Sequence, residues 1–139
     1  NLLGPIRLTQ SAMPLLSRDG AIVFLSSTLV QRPIRTSAVY SATKGGLDAF
    51  MKAMAVDGAS NGIRCNSLVL GMVDTPMIHQ TRGLDDLECG SPEERFAPLH
   101  LLGRLGDVNE VAGAVINLLN TPWMTGARVV LDGGLLLKA

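Results

Sequence analysis

The sequence predicts an α/β fold in which helices cover a parallel β-sheet. Two observations predict it: three short apolar runs have the length and composition of buried strands, and segments with helical spacing of apolar residues separate them. The chain has 139 residues, 47% of them hydrophobic, which is enough apolar material for the core of one ordinary domain. We therefore expect one α/β unit over residues 1–139.

The first half of the chain predicts a helix, a strand and a longer helix. Residues 2–16 carry apolar side chains at helical spacing. Residues 21–25 are almost wholly apolar, which is typical of a strand buried on both faces. After a polar connection, Thr36 or Ser37 can cap a long helix that runs to about Ala59.

The second half predicts two more strands and one long helix. Residues 63–70 form the second apolar run, and residues 75–102 are irregular and contain three prolines. Within that stretch Ser91, followed by proline and two acids, predicts the start of a short helix. Residues 107–120 begin with the spacing of a capping box and predict a helix. Residues 128–131 predict the third strand.

The chain begins at Asn1, inside a predicted helix and without a methionine. Three strands make a thin sheet for this architecture, and one edge would lie open to pair with further strands. We expect that sequence upstream of Asn1 supplies those strands, and a targeting signal, if there is one, would lie there too.

Composition excludes several classes of function. The 12 basic and 12 acidic side chains balance to zero formal charge, which does not favour a nucleic-acid or anionic-membrane partner. No apolar run is long enough to cross a bilayer. Cys65 and Cys89 match no metal-site spacing and favour a reducing, cytoplasmic compartment, with one disulfide left open and Cys65 expected in the core. His79 and His100 stand apart, so no metal site is predicted.

Tyr40 and Lys44 are the first candidates for chemistry. A spacing of four residues places a phenol and an ammonium on one face of a helix, one turn apart. A nearby positive charge favours the phenolate and is expected to lower the tyrosine pKa toward the range useful for acid–base catalysis. Ser27 stands thirteen residues before Tyr40, directly after the first predicted strand, where the carboxyl ends of parallel strands meet ligands.

A set of motifs in order along nearly the whole chain resembles the short-chain dehydrogenase/reductase family. The motifs are Gly-Ala-Ile-Val-Phe-Leu-Ser-Ser (20–27), Tyr-Ser-Ala-Thr-Lys-Gly-Gly (40–46), Asn-Gly-Ile-Arg-Cys-Asn (61–66), Gly-Met-Val-Asp-Thr (71–75), Leu-Gly-Arg-Leu-Gly (102–106) and the segments 107–112 and 125–134. The resemblance implies a Rossmann-like, doubly wound parallel sheet, of which this chain is the C-terminal half. It also implies reversible hydride transfer between NAD or NADP and a secondary alcohol or ketone.

The resemblance also implies roles for individual residues. Tyr40 would be the general acid in carbonyl reduction and the base in alcohol oxidation. Lys44 would lower the tyrosine pKa and hydrogen-bond the nicotinamide ribose. Ser27 would hold and polarise the substrate oxygen, with Ser26 as its rival. Asn1 matches the family's helix asparagine, whose backbone supports a proton-relay water.

Residues 71–75 resemble the family's cofactor loop. Gly71, the Val73 backbone and the Thr75 hydroxyl would bind the nicotinamide carboxamide, and Thr75 could also cap a helix before Pro76. The sequence departs from the family pattern at Leu70, where proline is usual and would stiffen the bend. The family's glycine-rich phosphate loop is not in this chain, so the sequence does not distinguish NAD from NADP.

The sequence leaves three further hypotheses open. Ser41 and Lys44 form the Ser-x-x-Lys of penicillin-recognising acyl enzymes, although the Ser-Asp-Asn and Lys-Thr-Gly partners do not occur. A truncated or inactive subunit that serves only as an oligomerisation scaffold is the non-enzymatic alternative. The helix of Tyr40 is apolar over more than one face, which predicts a homodimer or homotetramer packed through it, as the resemblance also implies.

Overall fold

The computed structural model describes residues 1–80 and 90–138, and it confirms the predicted α/β fold. A three-stranded parallel sheet in the order β1-β2-β3 forms its centre. The strands are β1 (Ala21–Ser27), β2 (Arg64–Leu70) and β3 (Arg128–Leu131). Because all three strands run in the same direction, their carboxyl ends meet at one edge of the sheet.

Helices connect and cover these strands. They are α1 (Leu3–Ala12), α2 (Ala38–Gly58), α3 (Pro76–Gln80), α4 (Pro92–Phe96) and α5 (Val108–Leu119). Short 3-10 turns lie at Met13–Leu15, Thr28–Val30, Ala59–Asn61, Ala97–Leu99 and Leu135–Leu137. The long helix α2 packs against β1 and β2, and α5 also contacts both strands.

The main core lies between α2 and the first two strands. Its buried members are Phe24, Leu47, Met51, Ala55, Ile63 and Cys65. Met51 and Cys65 are both 0% exposed, so Cys65 is the small core residue that the sequence predicted. Phe24 and Phe50 meet edge to face with ring centroids 5.9 Å apart, which adds a specific aromatic contact to the burial. This packing fixes α2, and with it Tyr40, against the sheet.

The first two predicted elements differ from the structure in their extent. The first helix ends at Ala12, earlier than the predicted residue 16, because the ring of Pro14 is incompatible with a continuing α-helix, and the chain makes a 3-10 turn there. Strand β1 continues to Ser27, beyond residue 25. It is not buried on both faces as predicted, because Leu25 points away from buried Phe24 on an edge strand and is 45% exposed.

Three helix starts were predicted at the right position, but at one of them the predicted side-chain cap is missing. Ser91 and Asp107 each form a complete capping box at the start of α4 and α5. Ser37 occupies the N-cap of α2, but its hydroxyl donates to the Ile34 carbonyl at 2.7 Å and makes no cap hydrogen bond. The Thr36 hydroxyl donates to the carbonyl of the residue before it. The serine therefore stabilises the preceding turn, and the predicted cap is wrong.

The described part of the chain contains neither a membrane-spanning helix nor a group of metal ligands. No helix in residues 1–80 and 90–138 combines the length and hydropathy needed to span a membrane. Within the same residues, no three His, Cys, Asp or Glu side chains come together as metal ligands would. Cys89 lies outside the described residues, so the question of a disulfide with Cys65 lies outside them too.

Candidate active site

The candidate site is at the carboxyl edge of the sheet. Ser27 is the last residue of β1 and pairs in register with Leu70, the last residue of β2. Gly71 follows directly, so the end of β1 and the loop 71–75 are neighbours. Helix α2 places Tyr40 in its first turn, beside the end of β1.

Ser27 and Tyr40 come together here. A side-chain hydrogen bond with Ser27 acts to lower the pKa of Tyr40, but burial of the phenol outweighs it, and the net pKa is raised. The Ser27 hydroxyl also accepts the Leu29 N–H at 3.2 Å, which fixes its orientation. Ser26 lies on the opposite face of the strand, and its buried hydroxyl has no partner in the part of the chain that the structure describes. The thirteen-residue spacing therefore selected the serine that faces the tyrosine.

Lys44 lies one turn after Tyr40, as the spacing predicts. Its ammonium is 5.7 Å from the centroid of the Tyr40 ring and donates to the Leu25 carbonyl at 2.8 Å. Burial lowers the pKa of Lys44, and the carboxylate of Asp48 acts in the opposite direction. The expectation that Lys44 lowers the pKa of Tyr40 is not met in this arrangement, because burial of the phenol dominates and raises that pKa.

The loop 71–75 is held by hydrogen bonds from its own backbone. The Gly71 N–H donates to the Leu131 carbonyl at 3.0 Å, and the Asp74 N–H donates to the Gly106 carbonyl at 2.9 Å. The Met72 N–H donates to His100 Nε2 at 3.2 Å. By contrast, the Val73 N–H has no hydrogen-bond partner among residues 1–80 and 90–138. The loop therefore keeps one donor available for a ligand.

Gly71 is the first residue of this loop and Thr75 is the last. A Cβ on Gly71 would lie 2.8 Å from the Cα of Asp132, so a side chain cannot be added without moving backbone. Thr75 stands just before α3, where its carbonyl accepts the Ile78 N–H at 3.0 Å. Its hydroxyl donates to the Val73 carbonyl at 3.4 Å, and its capping of α3 stays a prediction.

Asn1 lies near the predicted catalytic lysine. Both Asn1 and Lys44 line an open cleft of about 520 Å³ that is formed by α1, β1 and α2. Ser41, the nucleophile of the acyl-enzyme hypothesis, donates its hydroxyl to Ser37 at 3.2 Å and is only partly exposed. This contact joins Ser41 to the turn before α2.

Sequence reasoning missed two groups next to the site. Asp48 and Arg128 form an ion pair at 2.8 Å between α2 and β3, and Asp48 is 5% exposed. The acid stands four residues after Lys44, and that spacing was a signal that could have been used. The second group is buried His100, whose contact with Met72 joins residues far apart in sequence and leaves no local signal.

Comparison with known proteins identifies the family. A family model described as enoyl-(acyl carrier protein) reductase matches residues 1–136. A short chain dehydrogenase family protein from Francisella tularensis superposes with a TM-score of 0.84 at 26% identity, over 96% of this chain and 57% of that one. The chain belongs to the short-chain dehydrogenase/reductase family.

Relatives within the short-chain dehydrogenase/reductase family include named reductases. The 3-oxoacyl-[acyl-carrier-protein] reductase of Rattus norvegicus is 36% identical, over 100% of this chain and 55% of that protein. Carbonyl reductase family member 4 of Danio rerio is 36% identical, over 99% of this chain and 54% of the relative. The chain thus spans about half the length of the relatives it matches.

A solved family structure contains a nicotinamide cofactor. A blue fluorescent protein from a metagenomic library, in complex with NADPH, superposes with a TM-score of 0.78 at 26% identity, over 94% of this chain and 51% of that one. The matched relatives are thus named as reductases, and one similar solved structure holds NADPH.

Proposed function

We propose that this protein interconverts a secondary alcohol and a ketone by hydride transfer with NAD or NADP, and that Tyr40 is its general acid and base. One observation carries the proposal: the Ser27 side chain interacts with the Tyr40 phenol at the carboxyl edge of the sheet, beside a loop whose Val73 N–H has no hydrogen-bond partner among residues 1–80 and 90–138. Two neighbouring hydroxyls suit a single carbonyl or alcohol oxygen.

The residues at this edge fit the nicotinamide half of a dinucleotide. The Val73 N–H, which has no partner in the described part of the chain, and the Thr75 hydroxyl offer two hydrogen-bonding groups to a carboxamide. Lys44, one turn along α2 from Tyr40, would hydrogen-bond the ribose after exchanging its present contact with the Leu25 carbonyl. When bound, the cofactor would supply or accept the hydride.

The protein's own side chains would transfer the proton. Because burial raises the pKa of Tyr40, the phenol is protonated at neutral pH, which is the form that donates a proton to a ketone oxygen. Ser27 would hold that oxygen by hydrogen bonding. Lys44 and a water on the Asn1 backbone would return a proton toward Tyr40, consistent with the cleft that both residues line.

The substrate proposed is a ketone or its alcohol. The Rattus norvegicus and Danio rerio relatives are named as 3-oxoacyl and carbonyl reductases, both of which act at a C=O group. The description of the family model names enoyl reduction instead, which acts at a C=C bond. The paired hydroxyls favour the carbonyl, because an oxygen is the atom that accepts both of their hydrogen bonds.

The experiment that tests this function uses the natural polypeptide at its full length. We expect calorimetry to detect binding of NAD⁺ or NADP⁺, and absorbance at the nicotinamide band to show NAD(P)H consumption with a 3-oxoacyl thioester or a simple ketone. An enoyl thioester is the matched control and should not be reduced. Binding of neither dinucleotide would refute the proposal and leave the scaffold hypothesis. Reduction of the enoyl thioester alone would refute the carbonyl assignment.

We also propose that the protein self-associates through α2. One side of this helix exposes small and β-branched residues at spacings of three, four and seven, namely Val39, Ala42, Ala49, Ala53 and Val56. The two valines are 78% and 76% exposed. Small side chains let two helices approach closely, so this stripe suits a second copy of the same helix.

A further inference from the structure

His100 is a buried histidine with both ring nitrogens in use. It is 2% exposed, and it stands between α4 and the loop 71–75. Its Nδ1 lies 2.9 Å from the Phe96 carbonyl, which can only accept, so Nδ1 must carry the proton. Its Nε2 accepts the Met72 N–H at 3.2 Å. These two contacts define one neutral tautomer of the ring.

The Met72 contact lies in the middle of the proposed cofactor loop. The Gly71 amide before it donates to the Leu131 carbonyl, and the Asp74 amide two residues after it donates to the Gly106 carbonyl. The Met72 amide between them donates to neither carbonyl, and its acceptor is the histidine. With Met72 held, the next amide in the chain is the Val73 N–H, which has no partner in residues 1–80 and 90–138.

The histidine itself is held from several sides. Gly133 lies beside the ring, where an added Cβ would be in van der Waals contact with it at 3.4 Å. The backbone of His100 is tied as well, since its carbonyl accepts a hydrogen bond from Lys138 at 3.3 Å and its N–H donates to the Ala97 carbonyl at 3.0 Å. A side chain fixed in this way can hold a loop in one conformation.

We propose that His100 is a positioning residue for the nicotinamide site: its Nε2 fixes the Met72 amide and thereby orients the Val73 N–H toward the carboxamide. This inference rests on the proposed function. His100 would act through the loop backbone and would not touch the reacting atoms. Its loss should weaken binding of the nicotinamide end of the cofactor and leave the adenosine end unaffected.

Two substitutions test the contributions of the two ring nitrogens separately. His100→Gln can place an amide oxygen near the position of Nε2, which keeps an acceptor for Met72 and loses the contact with Phe96. His100→Asn is too short to reach Met72, but it keeps a donor near the position of Nδ1 for the Phe96 carbonyl. His79→Asn is the matched control, because His79 is an exposed histidine beside the same loop, where it contacts Asp74.

The test compares dissociation constants for NAD(P)⁺ and for ADP-ribose with or without a 2′-phosphate, using the full-length natural polypeptide. We expect His100→Asn to weaken NAD(P)⁺ binding by roughly tenfold, the effect of one lost hydrogen bond, with ADP-ribose binding unchanged. We expect His100→Gln to recover most of that affinity and His79→Asn to stay close to the unsubstituted protein. Amide hydrogen exchange at Met72 should accelerate in His100→Asn alone.

Three results would overturn the inference. Equal NAD(P)⁺ affinity in His100→Asn and the unsubstituted protein would do so, and so would equal weakening of NAD(P)⁺ and ADP-ribose, since that indicates general loosening of the fold. Failure of the glutamine variant to recover affinity would also count against it. If the unsubstituted protein binds neither dinucleotide, the proposed function fails first, and this role fails with it.

Discussion

Tyr40 and Ser27 set the acid–base behaviour of the site at the scale of single residues. Burial of the phenol raises the pKa of Tyr40, and the hydrogen bond from Ser27 opposes that shift. A phenol with a raised pKa remains protonated at neutral pH and is ready to donate to a ketone. Alcohol oxidation needs the opposite state, because the phenolate must accept a proton.

The pH dependence of the two directions follows from this pKa. Ketone reduction should stay constant below the pKa of Tyr40 and fall above it, whereas alcohol oxidation should rise as pH increases toward it. Ser27→Ala removes the interaction that lowers the pKa, so the rising limb of the oxidation profile should move to higher pH. Initial rates measured across pH at saturating cofactor would show the shift.

Ser26→Ala is the matched control for this experiment. Its hydroxyl is buried on the other face of β1 and has no partner in the described part of the chain, so its loss should leave the pH profile in place. A shift of equal size in both variants would indicate a general effect on the strand. A shift to lower pH in Ser27→Ala would contradict the account of Tyr40.

The loop after β2 is the element on which the cofactor proposal depends. Gly71 approaches the backbone of Asp132 so closely that a Cβ would lie 2.8 Å from its Cα. Gly71→Ala should therefore force the loop away from β3, lowering the free energy of unfolding by about 1–3 kcal/mol and weakening cofactor binding. Urea denaturation and calorimetry would measure the two effects.

For Gly113→Ala we expect the opposite change in the free energy of unfolding. Gly113 lies in α5, and outside that helix's own backbone no atom of the described residues comes within 4 Å of an added Cβ. Alanine should therefore stabilise the helix by about 0.5–1 kcal/mol. Cofactor affinity should not change. If Gly71→Ala were as stable as the unsubstituted protein, the close approach between the loop and β3 would not be a real constraint.

Elements whose signals are local could be predicted from the sequence. The strand at residues 63–70 was predicted within one residue of its observed extent because its run of apolar side chains is continuous. The capping box at Asp107 and the helix start at Ser91 depend on residues within one turn, and both were predicted correctly. The pairing of Ser27 with Tyr40 followed from spacing together with the resemblance to the family.

Features that depend on tertiary contacts could not be predicted from the sequence. Met72 and His100 are 28 residues apart in sequence, and the chain between them has no periodic pattern. The Ser37 hydroxyl turns back to Ile34 because the preceding turn competes with the helix for it. The pKa of Tyr40 depends on how deeply the phenol is buried, which the spacing to Lys44 does not reveal.

Self-association is the main question at the scale of the whole molecule. The exposed stripe of α2 contains Ala53 near its centre, so Ala53→Glu would place a charge where two helices are proposed to meet. We expect light scattering to show a multimer for the unsubstituted protein and a smaller particle for this variant. Ser60→Glu, which adds the same charge at an exposed position beyond α2, should keep the original mass.

Two outcomes would contradict an interface on α2. The unsubstituted protein could be a monomer at all concentrations, or Ala53→Glu could retain the original mass. A loss of mass in both variants would point to a general effect of added charge, and the stripe would then have no special role.

The central claim is that Tyr40 transfers the proton while the rest of the site binds the cofactor. Tyr40→Phe removes only the phenol oxygen and keeps the ring that packs beside Lys44. The decisive measurement is ketone turnover by this variant of the full-length protein, together with its affinity for NAD(P)⁺. We predict a loss of turnover by about a hundredfold or more with cofactor affinity nearly unchanged. Turnover equal to that of the unsubstituted protein would contradict the claim.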